Sequence, residues 1–184
     1  MLRTPHRNFG NLAGFIPGGG KGLTTLSQWI GSQFDPTLSW KDVAWVRSLW
    51  PGKLIVKGIL DADDARAAVD AGADVIVVSN HGGRQLDSAP PAILALPQVV
   101  AAVGDRCEIW FDSGVRSGQD VLKAMALGAR ATLIGKAFLY GLGAMGERGV
   151  STALDLIRRE LDVSMALTGT RDVREVGPQV LWRP

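Results

Sequence analysis

The chain has very little cysteine: Cys107 is alone, so an intrachain disulfide is excluded, and a reducing, cytoplasmic setting is the default expectation. It also lacks any apolar run long enough to cross a bilayer, and its opening residues do not read as a secretory signal. There is no polybasic block either. With a net charge of +2 and 21% charged residues, the composition is that of an ordinary globular protein and argues against nucleic acid as a partner. Tyrosine is limited to Tyr140, which follows a glycine loop on a helical pattern and is expected to pack in the core. Length is short in one specific sense. The 184 residues can bury one core, but a complete eightfold α/β barrel typically needs ~250.

What is present is a regular alternation. From Leu54 onward, short apolar runs alternate with helical patterns at a spacing that suits repeated βα units and a parallel sheet. Leu54-Ile55-Val56 is the first expected strand, and Asp61 caps a helix whose Ala65, Ala68, Val69 and Gly72 form a small-residue face. Val75 to Ser79 is the second. Pro90-Pro91 opens a helix to about Val103, and Glu108-Ile109-Trp110-Phe111 is a third strand ending at Asp112. Ser117 with Asp120 has capping-box spacing, ahead of a helix with Val121, Ala124, Met125 and Gly128 on one face. Ala131 to Ile134 supplies the fourth strand, and Val150, Ala153, Leu154, Ile157 and Leu161 mark a long closing helix.

The first fifty residues differ. They are rich in Gly and Trp, with Gly18-Gly19-Gly20 read as a flexible joint, so residues 1–38 are expected to be a long loop with a short helix through Leu23, Leu26, Ile30 and Phe34. That stretch reads as a helix over a barrel mouth rather than a membrane-surface contact, because Lys21 is the only basic charge nearby. Ser39 and Asp42 have capping-box spacing for a helix that Pro51-Gly52 stops near Trp50, and residues 39–184 are expected to form the main α/β body.

Chemistry concentrates after the second strand. In Ser79-Asn80-His81-Gly82-Gly83-Arg84, a base and a guanidinium three residues apart follow a buried apolar run, at the strand end where α/β barrels build their sites. Arg84 offers a planar fork able to hold a carboxylate through two parallel hydrogen bonds. Asp87 reads as an acceptor that organises the loop, and Cys107 has no signature of a reactive thiol. Lys57 presents a cation at the end of the first strand. Asp112-Ser113-Gly114-Val115-Arg116-Ser117-Gly118 follows the third strand and Gly135-Lys136 the fourth, two glycine turns each with a cation, as a phosphate site requires.

Together these segments resemble the FMN-dependent 2-hydroxy acid dehydrogenase and oxidase family, which includes L-lactate dehydrogenase, glycolate oxidase and mandelate dehydrogenase. The resemblance runs from about Arg7-Asn8 to Leu181. It implies the carboxyl-terminal half, about strands 5–8, of a TIM-type (β/α)8 barrel, and residues 1–184 as a partial domain of that family. It implies FMN as cofactor, with Lys57 at the flavin N1 and O2 edge, Ser79 at the ring, Asp112 at the ribityl chain, and Gly114, Arg116, Gly135 and Lys136 around the phosphate. His81 would be the catalytic base and substrate contact, and Arg84 would bind the substrate carboxylate. No metal is implied. Phe34-Asp35-Pro36, Ser39-Trp40-Lys41-Asp42, Lys57-Gly58-Ile59-Leu60 and Asp112-Ser113-Gly114 resemble bacterial lactate dehydrogenases more than plant oxidases, so L-lactate to pyruvate is the favoured reaction, with mandelate or glycolate as alternatives.

Two positions depart from the family pattern: Lys136 stands where arginine is usual, and Ser113 replaces a common glycine. The aspartate that orients the family's histidine, its substrate tyrosines and the arginine ahead of the long loop belong to strands one to four. Leu2 falls about where that arginine would be. The expectation is therefore a piece of a longer gene product, with two alternatives: an inactive half-barrel or assembly module that binds FMN or phosphate weakly, and a phosphate-binding isomerase barrel. The last leaves His81 with Arg84 unexplained. Partners implied are a small 2-hydroxy acid, a quinone or other electron acceptor, and a second copy of the chain in a homo-oligomer, with peripheral contact at the inner face of the membrane as a further option.

Overall fold

The computed structural model describes residues 11–12, 14–16 and 23–182. The Gly18-Gly19-Gly20 joint, Lys21, and the Leu2 and Arg7-Asn8 positions of the sequence reading lie outside them. The chain divides into two compact units, residues 1–39 and 40–184. In the first, helix α1 (Leu23–Ser32) carries no acidic residue in its first turn and no basic residue in its last. After it, Asp35 organises a turn by accepting hydrogen bonds from the backbone N–H of Thr37 (2.9 Å) and its hydroxyl (2.7 Å).

The second unit begins with helix α2 (Trp40–Leu49) and continues as a βα series. Strands β1 (Ile55–Ile59), β2 (Val75–Val78), β3 (Glu108–Phe111) and β4 (Ala131–Thr132) form a parallel sheet in the order β1-β2-β3-β4. Helices α3 (Ala62–Asp70), α4 (Ala92–Val103) and α5 (Gly118–Ala126) connect them, and α6 (Lys136–Leu167) follows the last. Strand order equal to chain order is the arrangement of consecutive units in an α/β barrel, and β1 and β4 are the outer strands.

Local signals explain where the helices start. Asp61 caps α3 by accepting from the Asp63 and Asp64 N–H groups, and Ser117 and Asp120 form a reciprocal capping box on α5. Val75 to Val78 are buried along the whole of β2, as expected for a central parallel strand covered on both faces, each contributing roughly 1.5–3 kcal/mol of burial. Ala65 and Ala68 of α3, Leu96, Val99 and Val103 of α4, and Ala124 of α5 complete the core around Ile76 and Ile109. At the amino ends of the strands Asp74 accepts from Arg47 (2.9 Å), Lys53 (3.1 Å) and the Leu54 N–H (2.8 Å), tying α2 and the start of β1 to β2.

Four features depart from the sequence reading. β1 extends past Lys57 to Ile59, because a register shift at Gly58, with φ +104°, lets the strand resume pairing with Val78. β4 is only two residues long, pairing Ala131 with Trp110 and Thr132 with Phe111. The last helix starts at Lys136 rather than near Val150. It turns sharply at Met145 and Gly146, and its two arms touch at Gly141 and Gly149, where an added Cβ on Gly149 would meet the Gly141 carbonyl oxygen at 1.8 Å. Tyr140 is 77% exposed, not packed in the core: its neighbour Gly141 is the residue turned to the second arm at Gly149.

Candidate active site

Lys57 of β1 and the loops after β2, β3 and β4 line one cleft of about 1030 Å³ at the carboxyl ends of the strands. Lys57, His81, Arg84, Asp112, Gly114, Arg116, Gly135 and Lys136 all line it. Ser79 is fully buried and joins the cleft through its neighbours instead. The sequence-predicted residues are thus brought to one place, although they span eighty positions of the chain.

The centre of the arrangement is a charged cluster across three strands. Lys57 Nζ on β1 lies 3.0 Å from Asp112 Oδ2 and donates to Ser79 Oγ at 3.1 Å, and Ser79 Oγ donates to the same Asp112 oxygen at 2.5 Å. Burial is the largest single influence on the Asp112 carboxyl and pushes its pKa up. The hydrogen bonds from Ser79 and Lys57, with the charge of Lys57, outweigh it, so the group lies below the ordinary carboxylate range and stays ionised. Ser79 also accepts from the N–H of His81 at 3.0 Å, so one buried hydroxyl satisfies three neighbours.

His81 begins a tight turn after β2 and adopts φ +55°, with Gly82 at +68° and Gly83 at +70°. Non-glycine residues take such angles at a cost, and the turn is held by the Asn80 side chain, which accepts from the Gly82 N–H (3.0 Å) and donates to the Pro90 carbonyl (3.2 Å). The imidazole lies over Gly58, where a Cβ would come within 2.7 Å of Nε2, and its Nδ1 is 3.4 Å from Lys57 Nζ. No carboxylate meets the ring among the described residues. Arg84 is exposed on the cleft wall with no side-chain partner among them, and Asp87 accepts from the Ser88 N–H, as a loop organiser does.

The other end of the cleft is built for an anion. The guanidinium of Arg116 and the ammonium of Lys136 have no hydrogen-bond or ion-pair partner among the described residues, while Asp120 is occupied by the Arg116 and Ser117 N–H groups at 3.0 Å each. Gly114 has φ +88°, and a Cβ at Gly114 or Gly135 would meet nothing within 4 Å, so the backbone there is open to a ligand. Gly135 precedes α6 without any side-chain cap, which leaves the first N–H groups of that helix pointing out of its start. Two free cations, two open glycines and an uncapped helix start fit a phosphate monoester. The cleft volume is at the upper end of the ~300–1,000 Å³ usual for ligand sites, room for a tricyclic ring beside it.

Three contributors were not assigned a role from sequence. Gly58 makes room for the imidazole, and a lone glycine inside a strand is a readable sign of a bulge or close approach. Asn80 ahead of Gly-Gly is an equally readable turn former. Ser113, at φ +88° with its hydroxyl near the Asn80 and Gly82 N–H groups, has no local sequence signal.

The family model for FMN-dependent dehydrogenases matches residues 3–183. An L-lactate dehydrogenase from Caulobacter vibrioides is 51% identical over 181 residues, which are 98% of this chain and 47% of that protein. The structure superposes on monotopic membrane (S)-mandelate dehydrogenase with a TM-score of 0.82 at 42% identity, covering 89% of this chain and 43% of that one. A soluble mutant of the membrane-associated (S)-mandelate dehydrogenase from Pseudomonas putida gives a TM-score of 0.79 at 45% identity, over 83% and 43%. The chain spans about half the length of the curated relatives it matches. Its sheet order, its cleft and this match over nearly its whole length make it a member of the FMN-dependent 2-hydroxy acid dehydrogenase family, whose cofactor is FMN.

Proposed function

We propose that this chain provides the phosphate-holding and substrate-holding half of an FMN-dependent enzyme that oxidises an (S)-2-hydroxy acid, with L-lactate to pyruvate as the first choice. The observation that carries the reading is the sharing of one cleft by a base, an unpaired guanidinium and an unpaired cation pair, all on the carboxyl ends of parallel strands. Arg84 holds the substrate carboxylate in a bidentate grip, which fixes C2 and its hydroxyl relative to His81. His81 takes the proton released as C2 is oxidised. Bound FMN would supply the acceptor for the two electrons and for the second of the two protons that the alcohol loses, with a quinone or another carrier as the oxidant that returns it to its starting state. Lys57 keeps a positive charge beside the ring edge that becomes electron-rich, and Asp112 and Ser79 hold that ammonium in place. Arg116, Lys136 and the backbone at Gly114 and Gly135 hold the phosphate.

The ligand choice favours L-lactate over mandelate or glycolate on the strength of the lactate dehydrogenase relatives, while the mandelate dehydrogenase structures support the same chemistry on a larger side chain. We further propose a homo-oligomer working in the cytoplasm with peripheral contact at the inner face of the membrane. Among the described residues no helix is long and apolar enough to cross a membrane. One observation favours a second reading, an inactive binding module: His81 faces the Lys57 ammonium, and no carboxylate meets its ring among the described residues. The test is to add FMN to the purified chain and then L-lactate without oxygen. Loss of the blue absorption of bound flavin is the expected result. Bound flavin that stays oxidised would leave only the binding module.

A further inference from the structure

We infer that Ser113 is a positioning residue that clamps the His81 turn to the end of β3. The inference rests on the reading of His81 as the base. Ser113 adopts φ +88°, a conformation that an L side chain takes at a cost and that glycine takes freely. Something has to offset that cost, and the side chain itself supplies it. Ser113 Oγ lies 3.2 Å from both the Asn80 and the Gly82 N–H groups, accepting from each, and 3.2 Å from Ser79 Oγ. These two amides flank His81, whose own N–H goes to Ser79.

The consequence is geometric. The turn carrying His81 has three successive residues at positive φ and is held from three sides: by Asn80 from within, by Ser79 from β2 and by Ser113 from β3. Only the last of these bridges to a different strand end, more than thirty residues away in the chain. Because Ser79 and Asp112 also contact Ser113 Oγ, at 3.2 and 3.5 Å, the same hydroxyl links the base turn to the Lys57–Asp112 pair. A glycine at 113 would fit the backbone better and hold the turn less well. That trade is what separates a positioning role from a merely structural one.

The test compares the full chain with S113G and S113A. Amide hydrogen exchange read residue by residue is expected to quicken about fivefold at Asn80 and less at Gly82, which keeps the Asn80 side-chain bond, with Ile76 and Ile109 unchanged. The thermal midpoint of S113G is expected to stay level or rise, since the strain is gone. In preparations that oxidise L-lactate, kcat is expected to fall in S113G, because the turn that carries the base loses its tie to the end of β3. Unchanged exchange at Asn80 and Gly82 in both variants would overturn the proposal, as would quickened exchange spread evenly over the core. If neither the parent chain nor the variants turn over lactate, the exchange result still decides the clamp, and only the assignment of His81 falls.

Discussion

At the amino ends of the strands most charges are paired in ordinary ways: Arg47 and Lys53 share Asp74, and Arg106 meets Asp70 at 2.7 Å, with exposed Arg130 ahead of β4 an exception among the described residues. At the carboxyl ends, Arg84, Arg116 and Lys136 face the cleft without a side-chain partner among the described residues, and the backbone bends through positive φ at His81, Gly82, Gly83, Ser113 and Gly114. The first end largely satisfies itself. The second leaves donors open and holds residues in costly conformations, which a fold tolerates where a ligand repays it. This is why the same residue types, cations and carboxylates within a few residues of a strand, are framework in one place and candidate machinery in the other.

Exchanging residues at each end separates the two. His81→Ala is expected to have the largest effect: flavin reduction by L-lactate should slow by about 10²–10⁴-fold, roughly 3–5 kcal/mol of barrier, while the exposed position keeps the unfolding midpoint close to that of the parent. Stopped-flow bleaching without oxygen measures it, and a rate within a few fold of the parent would remove His81 from the chemistry. A smaller gain is expected from Lys136→Arg. Restoring a planar fork at an unpaired cation should tighten FMN binding by about tenfold, near the 1.4 kcal/mol of one better charged contact, and fluorescence quenching of FMN reports it directly.

The smallest expected effect is on acid stability. The Asp112 carboxyl is held below its ordinary value in the folded chain, so its stabilising charge is fully present above the unfolded carboxylate pKa of ~3.9 and is lost as pH falls through the lowered folded value. Asp74 and Asp172 are shifted the same way, Asp172 to about 2, chiefly by the Leu54 N–H and by Arg174 respectively. The Asp112 share must therefore be read as a difference. Thermal midpoints of the parent and Asp112→Asn, taken from pH 5 down toward pH 2, are expected to converge as Asp112 protonates (pH range of the order set by the carboxylate values). Parallel curves would mean that Asp112 is not held by Lys57 and Ser79.

Much of the framework was legible in the sequence because its causes are local. The Asp61 cap and the Ser117–Asp120 box announce α3 and α5 within four residues of each helix start, and the unbroken apolar run Val75 to Val78 announces a strand buried on both faces. The grouping of Lys57, His81, Arg84, Asp112, Arg116 and Lys136 was legible as well, since strand ends in repeated βα units must fall on one rim. The remainder depends on contacts between distant positions. Gly58 announces a close approach locally but not that an imidazole makes it, and the hydroxyl of Ser113 reaching the Gly82 amide has no trace within a window of neighbouring residues. The reversal of α6 at Gly146 was hidden for a related reason: Gly141 and Gly149 look like weak helix positions until the two arms are seen to touch there. The exposure of Tyr140, on the first of these arms, is hidden for the same reason.

We propose that open cations at the carboxyl rim, rather than positive charge in general, bind the phosphate of FMN. FMN titration of the parent, Arg116→Ala and Lys53→Ala tests it most directly, because each substitution removes one positive charge, the first from the open rim and the second from the paired end. Saturable binding that inorganic phosphate competes away, weakened in Arg116→Ala and unchanged in Lys53→Ala, is the result this account requires. Equal weakening in both variants, or binding indifferent to phosphate, would contradict it.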